Sequence, residues 1–162
     1  PQHNKLLKYT LGLRFAPNQP QMRALCVFNG KNMKDQIDHY QKKLNYEIDS
    51  WDLYESINKN ENIIVIDARS AEAYQVRHIP SAINIPHRTM SNETTKDLDK
   101  NFTYVTYCDG IGCNASTKGA LNMAKLGFKV KELMGGLDWW LRDGYATDGT
   151  NSTTGKPVQC GC

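Results

Sequence analysis

The residues most able to do chemistry lie in one segment, Tyr104-Val-Thr-Tyr-Cys108-Asp109-Gly110-Ile111-Gly112-Cys113-Asn114-Ala-Ser-Thr. It passes from a β-branched and aromatic run through a cysteine and a glycine-containing loop into Lys118-Gly-Ala-Leu-Asn-Met-Ala-Lys-Leu, which repeats at helical period. Cys108 is therefore expected at the carboxyl end of a strand, facing the amino terminus of a helix. Unpaired N–H groups there favour a thiolate, the nucleophilic form of cysteine. Gly110 and Gly112 are expected to let the loop turn its amides inward as an anion-binding nest.

Other groups modify that chemistry. Cys113 shares the loop at Cys-x4-Cys spacing, so it can pair with Cys108 or resolve an oxidised or persulfidated sulfur; the plainer alternative is a small residue packed under the loop. Cys160 and Cys162 close the chain and are candidates for a relay or resolving pair. Neither pair has Cys-x2-Cys spacing, so no metal site is expected, and no cofactor is expected. Asp109, next to the nucleophile, predicts a raised thiol pKa and repulsion of anionic substrates. The loop has no arginine, which excludes a phosphatase-type oxyanion site, and no Gly-Lys-Ser/Thr follows its glycines, which excludes a nucleotide phosphate loop.

Further motifs stand in order around this segment: Asp67-Ala-Arg69-Ser after Ile63-Ile-Val-Ile, His78-Ile-Pro80-Ser-Ala82-Ile-Asn84-Ile-Pro86, then Tyr107-Cys108, then Gly127-Phe-Lys-Val-Lys-Glu-Leu-Met-Gly135-Gly136 with Trp139. Together they resemble the rhodanese-like sulfurtransferases over roughly residues 47–146. The resemblance implies a rhodanese-like α/β fold and a persulfide on Cys108, held by residues 109–114. It also implies a small sulfur donor, thiosulfate or a persulfide, and a thiol or cyanide acceptor. Asp67, Arg69 and His78 take supporting roles in this reading, the first two bracing the loop. The usual loop resembles Cys-x-x-Gly-x-Arg-Ser; here the glycines stand at other offsets, the loop is longer and the cation is missing, so thiosulfate is expected to be a poor donor. Arg77 and Ser81 replace glycines that flank the His-Ile-Pro motif in the family. His87 and Arg88 are candidates to bring positive charge to the pocket rim. The alternative function is a non-catalytic module that binds partners or senses redox state through Cys108 and Cys113.

The elements that must position these groups follow from periodicity. Residues 34–44 predict a short helix with Ile37, Tyr40, Gln41 and Leu44 on one side, and Asp49 or Ser50 caps a helix over 51–59. The unbroken apolar run 63–66 reads as a strand buried on both faces, and Ser70 caps the helix that follows. Short strands are expected over 82–85, 104–107 and 129–133, with helices over 116–126 and 137–142. Alternating strands and helices predict an α/β domain with a central, mostly parallel sheet. Asp67 and Cys108 both fall at strand carboxyl ends, where such sheets gather functional groups. The expected organisation is an extension over 1–46, a domain over 47–147, and a flexible tail over 148–162.

The 162 residues, 40% of them hydrophobic, suit one core. A net charge of +3 with interspersed signs gives no footprint for nucleic acid, and no apolar run reaches membrane-spanning length. Five cysteines leave at least one unpaired, which fits reduced thiols and a cytoplasmic location better than a disulfide framework. The stretch before Asp35 is basic and free of acidic residues, a pattern also found in organellar transit segments.

Overall fold

The computed structural model describes residues 30–156. The expectations for residues 1–29 and for Cys160 and Cys162 lie outside the described residues. Five strands form one sheet: β1 (Glu47–Ile48), β2 (Ile63–Asp67), β3 (Ile83–Asn84), β4 (Thr103–Tyr107) and β5 (Lys129–Leu133). Their order is β1-β5-β4-β2-β3 and every pairing is parallel. Cys108 therefore leaves the central strand, flanked by β2 and β5.

The helices are α1 (Gly30–Tyr46), α2 (Ser50–Asn58), α3 (Ala71–Val76), α4 (Ala115–Lys125) and α5 (Gly136–Arg142). Asp49 caps α2 by accepting from the Asp52 amide, and Ser70 caps α3 by accepting from the Ala73 amide. Each cap satisfies a donor that the first helical turn cannot. Alternate residues of β4 enter two cores. Val105 and Tyr107 join Leu53 of α2 and Leu137 and Trp140 of α5 on one face, while Tyr104 meets Met123 of α4 and Phe128 on the other. The cysteine loop thus bridges two packed layers.

Two stretches differ from expectation. Helix α1 starts earlier and ends later than residues 34–44, because no breaker interrupts 31–46 and ion pairs Lys42–Asp38 and Lys43–Glu47 support its second half. Its apolar stripe, Met33, Ile37, Tyr40 and Leu44, faces solvent. The start of the expected flexible tail is held in place: the Thr150 and Asn151 amides donate to the carbonyls of Gln75 and Val76, and Asp148 bridges His78. These bonds fix residues 148–151 on the end of α3, supplying partners that composition does not reveal. Among the described residues, no helix is long and apolar enough to cross a membrane.

The His78-Ile-Pro-Ser81 turn places a serine in the left-handed conformation that glycine adopts most readily. Ser81 has φ +64°, and the Ala82 amide closes the turn on the Ile79 carbonyl at 3.1 Å. A left-handed conformation costs an L-residue about 1–2 kcal/mol, whereas glycine loses about 0.5–1 kcal/mol in chain entropy. Ser81→Gly is accordingly expected to stabilise the fold by roughly 0.5–1 kcal/mol. Urea denaturation of the two proteins measures this; a lower midpoint in the glycine variant would contradict the strain at Ser81.

Candidate active site

Cys108 is the first residue after β4 and is 2% exposed. Its Sγ lies 3.0 Å from the Cys113 carbonyl oxygen, 3.6 Å from the Gly110 carbonyl oxygen and 3.3 Å from Ser116 Oγ. Burial pushes the thiol above its ordinary pKa; the Ser116 hydroxyl acts the other way when it turns its hydrogen to the sulfur, as do the Ser116 and Gly110 amides. The expectation of a resting thiolate is therefore corrected: desolvation outweighs the N–H groups at the start of α4.

The sulfur opens on a cavity of about 310 Å³ lined by Gly110, Ile111, Cys113 and Asn114 of the loop, Ser116 and Thr117 of α4, Glu47 of β1, Glu132 of β5, and Trp139. Among the described residues, no lysine, arginine or histidine lines it. His87 turns its Nδ1 to the Ala68 carbonyl at 3.2 Å and neither it nor Arg88 reaches the cavity, so the expected rim charge is not supplied by that pair.

Asp109 does not face the sulfur. Its carboxylate accepts from Arg69 Nη1 at 2.8 Å and stays 69% exposed on the opposite side of the loop. Sequence adjacency placed it beside Cys108; successive residues leaving a strand point to opposite sides, and Arg69 draws this one away. Arg69 in turn holds Asp67 through Nε and Nη2, at 3.0 and 2.7 Å, and donates to the Arg77 carbonyl. Burial disfavours the Arg69 charge, but its hydrogen bonds to Asp67 and Asp109 overcome that penalty and raise the pKa. Tyr107 donates to Asp67 Oδ2 at 2.6 Å and accepts from the Ile79 amide at 3.1 Å; burial and then the Asp67 charge push its phenol well up. His78 stacks on Tyr74 with ring centroids 3.8 Å apart and places Nδ1 2.8 Å from the Tyr74 carbonyl, far from any reactive role.

The left-handed glycines of the site are not the expected ones. Gly110 and Gly112 do not adopt positive φ; Gly135 (φ +70°) and Gly136 (φ +57°) do. A Cβ at Gly136 would collide with the Cys108 carbonyl oxygen. This close approach lets the Leu137 amide donate to the Cys108 carbonyl at 2.9 Å and the Asp138 amide to the Asp109 carbonyl at 2.8 Å. The cysteine loop is thereby clamped to the start of α5.

Sequence reasoning missed Ser116 and Glu132. Ser116 Oγ, beside the sulfur, donates to Glu132 Oε1 at 2.7 Å, and Thr117 donates to the same oxygen at 2.8 Å. The available signal was register: Glu132 pairs with Thr106 in the strand beside β4, two residues before the cysteine.

The geometry predicts that Asp109→Asn leaves the Cys108 pKa unchanged, because the carboxylate it neutralises points at Arg69. Peptide-resolved alkylation across pH measures the thiol directly. A pKa lowered by half a unit or more would place the Asp109 charge beside the sulfur and contradict this geometry.

Residues 50–143 match the model of the rhodanese-like domain. The chain is similar to the BH2092 protein from Bacillus halodurans, with 44% identity and a TM-score of 0.72, covering 80% of this chain and 96% of that one. It is 34% identical to an HTH-type transcriptional regulator, Rv0324, of Mycobacterium tuberculosis over 53% of this chain and 38% of the relative. It is 28% identical to the thiosulfate sulfurtransferase GlpE of Coxiella burnetii, covering 57% of this chain and 81% of the relative. The chain thus spans well under half of the regulator but most of the sulfurtransferase. With an all-parallel sheet, a cysteine at the end of its central strand and this match over most of the described fold, the chain belongs to the rhodanese-like domain family.

Proposed function

We propose that the protein is a sulfurtransferase that carries a sulfane sulfur as a persulfide on Cys108. The observation that supports this best is the position of the Cys108 sulfur, at the end of β4 and open to a cavity sized for a small molecule. After losing its proton, Cys108 attacks the outer sulfur of a donor R–S–S⁻; an S–S bond forms on Cys108 and RS⁻ leaves. An acceptor thiolate or cyanide then attacks the terminal sulfur, the S–S bond to Cys108 breaks and the thiolate returns. Loop amides stabilise the anionic terminal sulfur as an oxyanion hole stabilises oxygen.

The cavity lining argues for the donor class. Glu47 and Glu132 line it and, among the described residues, no cation does, so a doubly charged thiosulfate is disfavoured relative to a small persulfide of lower charge. Cys108 and Cys113 are both free thiols, in keeping with a reducing compartment such as the cytoplasm. Cys108→Ser is expected to abolish thiocyanate formation from persulfide and cyanide with the fold retained. Full turnover in that variant would overturn the proposal. The wild-type rate should also rise with pH to a midpoint above the ordinary thiol value of about 8.5, because burial raises the group that must ionise.

One observation favours a second reading, in which the domain is a thiol switch: Cys108 and Cys113 are both free thiols and both line the same cavity. With glutathione disulfide as oxidant, Cys108 forms a mixed disulfide and Cys113 displaces the second glutathione, giving a Cys108–Cys113 bond and two reduced glutathiones. Peptide mapping after such treatment is expected to find that bond. Cys108 paired only with glutathione would contradict it.

A further inference from the structure

Three acceptor oxygens surround the Cys108 sulfur: the carbonyls of Gly110 and Cys113, and Ser116 Oγ. A serine hydroxyl has one hydrogen to give. Ser116 gives it to Glu132 Oε1 at 2.7 Å, a charge-assisted bond that outcompetes donation to a sulfur at 3.3 Å. What Ser116 offers the sulfur is then a lone pair, which can receive the thiol hydrogen and cannot stabilise a thiolate. We infer that Ser116 and Glu132 form a positioning pair that holds Cys108 in its protonated, resting form, with Glu132 fixing the direction of the Ser116 hydroxyl.

The surroundings single out Glu132 for this. It lies on β5 directly across from Glu47 of β1, and like charges opposed on one sheet face are unfavourable. Glu47 is neutralised by Lys43 of α1, whereas Glu132 is held by two hydroxyls of α4. Lys131, next in sequence, reaches the other way to the Leu44 carbonyl. On the loop, Cys113 lines the same cavity while Asp109 turns away to Arg69, and from α5 Asp138 is engaged with Arg142. A carboxylate is a far weaker base than a thiolate, so the pair does not draw the proton away from sulfur; it sets which way a hydroxyl points. The consequence for turnover rests on the persulfide reading: Ser116 must swing from Glu132 to the sulfur as the thiolate forms, and Glu132 resists that swing.

The test is the Cys108 pKa itself, from peptide-resolved iodoacetamide labelling across pH, which needs no sulfur donor and so is independent of the proposed activity. Glu132→Gln, a neutral variant of the same size, is expected to raise the thiolate fraction at pH 7 by about 3- to 10-fold, the scale of replacing a charged acceptor by a neutral one. In a Ser116→Ala background the same change should have less than about a 2-fold effect, since the hydroxyl that transmits it is gone. Thr117→Val, which removes the other hydroxyl on Glu132 but touches no sulfur, should not raise the fraction. Thermal melts confirm that each variant is folded; should Ser116→Ala melt early, Glu132→Gln and Thr117→Val decide the matter between them. An unchanged thiolate fraction in Glu132→Gln, or an equal rise with and without Ser116, would overturn the inference, the latter assigning the effect to the carboxylate field alone.

Discussion

The buried pair of Asp67 and Arg69 ties together the segments that shape the site. Asp67 ends β2 and is fully buried, and Arg69 presents one edge of its guanidinium to Asp67 while its outer nitrogens reach Asp109 and the Arg77 carbonyl. One planar group thus fixes the end of a strand, the residue after Cys108 and the end of α3. Burying two charges is costly, and the cost is offset only when nearly every donor and acceptor is used. That condition is met: Tyr107 and the Arg69 amide also donate to Asp67, and among the described residues no buried side-chain polar atom lacks a partner. Removing either charge would strand the other, a loss on the order of 3–5 kcal/mol.

The placement of Cys108 follows from this anchoring. Because Arg69 pulls Asp109 to one side of the loop, Cys108 faces the other, into a cavity walled by α4 and β5. Gly136 completes the arrangement from the far side, where the absence of a side chain lets α5 bind the carbonyls of Cys108 and Asp109. The loop is braced from two directions, and its tip, Ile111, remains 75% exposed beside the cavity mouth. What the bracing creates is a buried thiol on a cavity that Glu47 and Glu132 also line, the setting on which the proposed donor class rests.

Much of this was legible in the residues, and the remainder failed for identifiable reasons. The parallel sheet, the Asp49 and Ser70 caps and the span of β5 follow from local pattern and cap chemistry, which act over a few residues. The direction of Asp109 does not, because it is decided by an arginine 40 positions away. The glycines nearest the cysteine drew attention by proximity, yet the backbone that requires glycine is at 135 and 136, where another element meets the loop. Glu132 had no assigned role within the expected strand over 129–133; only the register of β4 against β5 brings it over Ser116.

The central claim, that Cys108 receives a sulfane sulfur, is tested most directly by a single-turnover experiment. The intact protein is mixed with one equivalent of glutathione persulfide whose outer sulfur is isotopically labelled, quenched, and the position of the label read by peptide mass. The account predicts one labelled sulfur on Cys108 that leaves as labelled thiocyanate when cyanide is added. Label confined to other cysteines, or a Cys108 mixed disulfide with glutathione and no retained label, would contradict it.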